Sequence, residues 1–162
     1  MSSHAPGAMP GEHRSAVSVL TRVGSRVCAI AAAHVSETMR PLPVEPFANM
    51  PSFVLGVSIV RGAPVPVVDL ARLLGVTDGR APGRFLCMRV GVRRAALAVD
   101  AVLGVRTLDL DALGQLSPLL GEAGAGAVEA IGALDSGLLL LLRDARLVPD
   151  SVWAAIAARE DA

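Results

Sequence analysis

The residues able to do chemistry are few and scattered through a chain of 162. Its histidines are His4, His13 and His34, and no Cys and His stand at zinc-ligand spacing, so no metal site is expected. Cys28 and Cys87 each lie inside an apolar run and read as small buried hydrophobes of a reducing compartment, although their spacing leaves a disulfide between them open. The GxSxG pattern is absent, and Ser36, Ser52 and Ser58 have no sequence partners that would complete a nucleophilic triad. Gly121, Gly124 and Gly126 superficially resemble a phosphate-cradling loop, but their spacing is not GxGxxG and no Gly-Lys-Ser/Thr follows, so an ordinary flexible loop is expected. Asp69, Asp100 and Asp135 each follow a hydrophobic strand, a place where carboxylates act as acids and bases in other folds. Here they are expected to accept hydrogen bonds at caps and turns, Asp69 for a short turn at 70–74. No catalytic set emerges, and no enzyme is expected.

What remains is one isolated charge. In PSFVLGVSIVRGAPVPVVDLARLLG (51–75), Arg61 is the only charged residue between Glu45 and Asp69. A charge in apolar surroundings is costly without a partner. An Arg beside Gly62 at a turn is therefore either paired, with Asp69 or a backbone carbonyl, or displayed for recognition, and the two roles can coexist. Apolar strands, a lone Arg and few catalytic groups describe a surface that binds other proteins.

Composition narrows the partners. The chain is 52% hydrophobic but only 2% aromatic, with no Tyr, so platforms for stacking bases are scarce. Fifteen basic residues, all Arg, balance fifteen acidic ones without a block of like charge, so neither a nucleic-acid footprint nor an anionic-membrane patch is indicated. The longest apolar candidate, Pro46–Val60, is interrupted by Asn49, Pro51 and Gly56 and is too short to span a bilayer. VCAIAAA at 27–33 only faintly imitates a signal segment, because it begins late and sits inside a hairpin pattern. A soluble cytoplasmic protein without membrane insertion is expected.

The elements that must position Arg61 are short strands. Residues 1–15 lack periodicity and read as a flexible tail ahead of one domain, 16–162. Val17, Val19, Thr21 and Val23 alternate with Ser18, Leu20 and Arg22. Gly24-Ser25 makes a turn, and Arg26–Ala32 returns. Val35, Glu37 and Met39 fit an extended segment or a single helical turn, before a loop marked by Pro41, Pro43 and Pro46. Val54–Val60 and Val65–Leu70 flank the Arg-Gly corner. Leu70–Leu74 is a helical turn ended by Gly75, and Asp78-Gly79 and Pro82-Gly83 form a central loop. Phe85–Val90, Ala95–Val99, Val102–Leu108, Val128–Leu134 and Leu138–Leu142 are further strands, with 111–126 irregular. Asp150 is placed to cap a terminal helix over Ser151–Arg159 that docks through Val152, Trp153 and Ile156. Many short strands split by a central loop predict a mainly β fold of two small barrels with a C-terminal helix.

The same residues carry a family resemblance. The 51–75 stretch resembles the signature of the CheW-like domain family, the coupling adaptors of bacterial chemotaxis, which is a Pro, then G-V-x-N-L-R-G, then P-V-x-D-L and a Leu-rich turn. Gly56, Val57, Arg61, Gly62, Pro66, Val67, Asp69 and Leu70 match it. LAVDAVLGV (97–105) is similar to the family's V-D-x-V element through Val99, Asp100 and Val102, and AIGALDSGLLLLL (130–142) to its penultimate hairpin. Val35 and Glu37 resemble its V-x-E segment. The resemblance implies two intertwined five-stranded SH3-like barrels and no cofactor. It also implies a non-enzymatic adaptor that bridges chemoreceptor cytoplasmic tips to a CheA-type histidine kinase. The receptor tip would dock as a helical hairpin in a groove between the barrels. Carried onto this chain, it implies receptor contact by Arg61, with Val35 and Val99, and turn or cap roles for Gly62 and Asp69. Two departures stand out. The Asn usual two residues before the Arg is Ile59, which cannot make an amide's polar contacts, and Arg143 stands where many relatives carry Asp, with Asp144 next. The alternatives are a divergent adaptor of a non-flagellar chemosensory pathway, serving motility or gene regulation, and a small ligand-binding barrel.

Overall fold

The computed structural model describes residues 14–76, 81–114, 126–135 and 137–160. Its strands are β1 (Ser15–Val23), β2 (Arg26–Ala31), β3 (Val35–Met39), β4 (Val54–Val60), β5 (Ala63–Asp69), β6 (Arg84–Val90), β7 (Arg93–Val99), β8 (Ala101–Asp109), β9 (Val128–Leu134) and β10 (Gly137–Leu142). Helices α1 (Leu70–Leu73) and α2 (Asp150–Glu160) accompany them. The segment after the first hairpin takes both forms that the sequence leaves open, a 3-10 turn at Ala32–His34 followed by strand β3. Most of the expected tail, the 77–80 part of the central loop and the glycine-rich loop at 115–125 lie outside the described residues. Arg14 and Ser15 are described: Arg14 bonds to Asp111, and Ser15 opens β1.

The strands form two five-stranded sheets, ordered β8-β1-β2-β10-β9 and β3-β6-β7-β5-β4. Each contains one parallel contact, β2 with β10 and β5 with β7. Taking β8-β9-β10-β1-β2 against β3-β4-β5-β6-β7 makes the two orders coincide, so one barrel is a circular permutation of the other. The β3–β7 barrel is built from one continuous stretch. The other is completed by strands from both ends of the chain, which intertwines the two. In both barrels the connection after the first strand returns to an edge strand. Glu45 and Val57 exchange N–H···O bonds of 2.8 and 2.9 Å, and Gly114 and Ile131 exchange bonds of 2.6 and 3.0 Å.

Three apolar clusters result. Leu20, Ala29, Leu139 and Leu141 fill one barrel, and Val60, Val65, Val67, Phe85, Cys87, Ala96 and Ala98 fill the other. A larger cluster lies between the barrels and takes the alternate residues of the same strands, among them Cys28, Ile30, Val68, Leu97, Leu140 and Leu142. These strands are buried on both faces, which is why their sequences read as continuous apolar runs rather than alternating ones. The two thiols lie in different clusters and are free, so the disulfide left open by the sequence is not formed. Burial pushes the Cys28 thiol up to about 12.

Carboxylates pin the crossings between barrels. Asp100, between β7 and β8, accepts from the Gly24 N–H in the β1–β2 turn at 2.7 Å. Asp144, on the way from β10 to α2, meets His34 on the β2–β3 crossing, with Nδ1···Oδ2 at 2.5 Å. Asp69 caps α1 by accepting from the Arg72 N–H, and Gly75 follows in the left-handed region at φ 74°. Asp150 is not the cap of α2. It is the first helical residue, the Val152 N–H bonds to the Pro149 carbonyl ahead of it, and the Asp150 carboxylate turns instead to Arg93 at 3.3 Å.

Two expectations follow. Gly56 sits at φ 144°, and a Cβ there would lie 2.1 Å from the Glu45 carbonyl oxygen, backbone that cannot yield without breaking the edge bridge. Gly56→Ala should therefore lower stability by about 3 kcal/mol or more, read from urea unfolding; a loss within about 0.5 kcal/mol, the range of neutral surface changes, contradicts this account. Burial raises the Asp144 carboxyl above the usual 3.8, with the His34 contact opposing. A carboxyl raised in the folded state contributes its full share below its unfolded value and loses it as pH rises through the folded one. Asp144→Asn, neutral throughout and still able to accept from His34, should gain stability relative to the unchanged protein as the pH rises above 3.8. A gain that shrinks as the pH rises argues against it.

Candidate functional site

The β4–β5 turn is two residues, Arg61 at φ 52° and Gly62 at φ 80°. Both central residues being left-handed marks the tight hairpin turn whose twist matches its strands. Glycine occupies that region freely, whereas a side chain with a Cβ is disfavoured there by about 1–2 kcal/mol. The turn projects the Arg61 side chain, which is 71% exposed, across the barrel end. There it meets Glu37 of β3, with Nη2–Oε1 at 2.8 Å and Nε–Oε2 at 3.2 Å. Since β3 and β4 are the two edges of one sheet, this two-pronged bond ties the edges together.

Arg94, near the start of β7, donates to the Val60 carbonyl at 3.3 Å and stands close to Glu37. The hydrogen bonds from Arg61 hold the Glu37 carboxyl below its usual range, and the same bond raises Arg61. Beneath lies Cys87, whose thiol is raised chiefly by burial. The mouth of the β3–β7 barrel is thus closed by an Arg–Glu–Arg cluster with one guanidinium turned outward.

This arrangement corrects one expectation. Arg61 does not pair with Asp69, because Asp69 is the last residue of β5 and the length of that strand places them roughly 20 Å apart. Asp69 pairs locally with Arg72, Nε–Oδ2 at 3.4 Å. Val35 opens β3, opposite Met88 and half-buried against the inter-barrel cluster. Val99 closes β7, is 2% exposed inside that cluster, and stands at the far end of the strand from Arg94. Arg61 and Val35 therefore share a barrel end, and Val99 does not join them. Ile59 is 63% exposed on the outer side of β4. The sequence reading passed over Glu37 as a partner, although the V-x-E segment already carried it, and it missed the contacts of Arg93 and Arg159 with aromatic rings.

Among the described residues no group of His, Cys, Asp and Glu is placed to hold a metal ion, and no helix is long and apolar enough to cross a membrane. The CheW-like domain profile matches residues 18–152, most of the chain. The protein belongs to the CheW-like domain family. Protein FrzA of Myxococcus xanthus is 35% identical over 136 residues, covering 77% of this chain and 84% of FrzA. Chemotaxis protein CheW of Rhizobium meliloti strain 1021 is 33% identical over 89 residues, covering 54% of this chain and 57% of that one. In fold, the scaffolding protein TtCheW of Thermoanaerobacter tengcongensis superposes with a TM-score of 0.68 at 21% identity, over 80% of this chain and 90% of that one. The expected pair of five-stranded barrels is the observed one, and this CheW-like protein is a chemotaxis coupling adaptor.

The strain at Arg61 separates its two roles. An exposed ion pair returns about 0–1 kcal/mol, no more than the left-handed backbone costs. Arg61→Asn, which completes the Asn-Gly pair this turn type favours, should leave stability unchanged or raise it by up to about 1 kcal/mol in denaturant unfolding. A loss above about 2 kcal/mol would make Arg61 a structural residue first.

Proposed function

We propose that this CheW-like protein is a non-enzymatic cytoplasmic adaptor that couples the cytoplasmic tip of a chemoreceptor to a CheA-type histidine kinase, through a domain spanning 16–162. The observation that carries the site assignment is the outward Arg61, held by Glu37 at a strained turn that an Asn or Gly would serve better. In this reading Arg61 contacts the receptor tip. Val35, half-buried at the same barrel end, adds apolar contact, while Val99, buried at the far end of β7, acts only through the packing of the inter-barrel cluster. Gly62 and Asp69 serve the turn and the α1 cap. The kinase engages other barrel surfaces.

The relative at 35% identity does not share the CheW name, and an adaptor of a non-flagellar chemosensory pathway would use the same chemistry with a different receptor and kinase. A small ligand-binding barrel is less well supported, because both barrel interiors are filled by side chains.

Pull-down of the receptor tip tests the assignment. With the fold intact, Arg61→Asn should weaken tip binding by about 1–3 kcal/mol, the scale of an interface Arg, and lower receptor-coupled kinase activity in proportion. Unchanged binding together with unchanged kinase activation removes Arg61 from the interface.

A further inference from the structure

The β8-β1-β2-β10-β9 barrel has a mouth at the end opposite its β9–β10 turn. The start of β1, the end of β2 and the end of β10 meet there, and between them lies a depression of about 450 Å³. Ala16, Ala31, Leu110 and Leu141 supply its apolar wall, and Leu110 and Leu141 belong to the packing that fills this barrel. None of its walls lies on the strands of the β3–β7 barrel, and Asp144 alone among them also borders the depression beside Trp153 between the barrels.

The charges around this mouth do not balance. His34 and Asp144 answer each other, with Nδ1···Oδ2 at 2.5 Å. That leaves the guanidiniums of the exposed Arg143 and Arg146, and the carboxylate of Glu129, which stands near Asp144. No carboxylate bonds to either Arg among the described residues. Two guanidiniums against one carboxylate leave an excess of one positive charge beside an apolar hollow. Ser18 adds a poorly used donor. It is fully buried, and its Oγ donates to the Ala16 carbonyl at 3.5 Å, longer than an ordinary O–H···O bond.

These features select a ligand class. A hollow within roughly 300–1,000 Å³, mostly apolar with a few polar groups, at the mouth of a β-barrel is a favoured setting for a small molecule. Guanidinium forks match a carboxylate with two bonds at once. A single excess charge suits a monoanion, because a dianion would bring its second charge against Glu129. Leu20, Ala29 and Leu139 fill the barrel behind the mouth, so the apolar body of the ligand must lie in the mouth and be short.

We propose that this mouth binds a short aliphatic monocarboxylate, with the carboxylate on Arg143 and Arg146 and the chain against Leu110 and Leu141. The site is separate from the Arg61 turn and does not rest on the receptor reading.

Leucine-methyl and histidine-ring NMR spectra of the full chain, followed during titration with octanoate, test it. The expected result is a set of shifts at Leu110, Leu141 and His34 that saturate together below about 10 mM. Octanol, which lacks the charge, and octylammonium, which reverses it, should each bind at least tenfold more weakly. Arg143→Gln and Arg146→Gln together should weaken octanoate at least tenfold while the spectrum away from the mouth stays unchanged. Arg61→Asn should leave the affinity as it is. The proposal is overturned by the absence of saturation, by shifts centred elsewhere such as at Leu97, by octanol binding as tightly as octanoate, or by indifference to the double substitution. The receptor-tip assay reads Arg61 and this one reads Arg143 and Arg146, so either assignment can fail without the other.

Discussion

The double burial of the central strands is the constraint on which the rest of the structure depends. β2 and β10 separate one barrel interior from the inter-barrel cluster, and β5 and β7 do the same for the other barrel. Side chains on a strand alternate between faces, so along β10 Leu139 and Leu141 point into the barrel while Leu140 and Leu142 point between barrels. On β7 the interior takes Ala96 and Ala98, and the inter-barrel cluster takes Ala95, Leu97 and Val99. A one-residue slip would exchange the two sets. In β7 it would press Leu and Val into space shaped for Ala and leave voids on the other side, so side-chain volume fixes the register where hydrophobicity alone would not.

Because both faces of these strands are apolar, the charged contacts that join distant stretches lie at barrel ends and crossings. Each such place is held by an acid and a donor from a distant stretch: Asp100 with the Gly24 N–H, Asp144 with His34, Glu37 with Arg61. The first two lie where the chain passes between barrels and fix how they sit together. Asp144 is nearly buried, and burial raises its carboxyl against the opposing contacts of His34 and the Ala31 backbone, the cost of placing a carboxylate so near the inter-barrel cluster. The third is at a free barrel end with its Arg mostly in solvent, where an ion pair adds little to folding.

The strands and turns were legible because Arg-Gly, Gly-Ser and Asp-Ser-Gly punctuate apolar runs of strand length. The pairing order was not. Periodicity tells which face a residue occupies, not which strand lies beside it, so the parallel contacts of β2 with β10 and β5 with β7 leave no local trace. The Arg61 partner escaped for a related reason. Asp69 is nearer in sequence, but an extended strand carries it away, while Glu37 returns through the curl of the sheet. Asp150 has the residue type and place of a cap, yet Pro149 holds the position before the helix and Arg93 draws the carboxylate outward. These are tertiary overrides of sound local signals.

The permuted relation between the barrels isolates what is particular to Arg61. Its counterpart in the other barrel is the turn between β9 and β10, and there Asp135 has φ 56°, close to the 52° of Arg61. The barrel therefore requires a left-handed residue at this point in both halves. Asp meets that requirement comparatively well, because its short polar side chain tolerates the conformation, and Arg has no such advantage. If the fold alone chose the residue, the two turns would be expected to converge on Asn, Asp or Gly. They share a backbone and differ in charge, so the backbone belongs to the barrel and the guanidinium to the surface it presents.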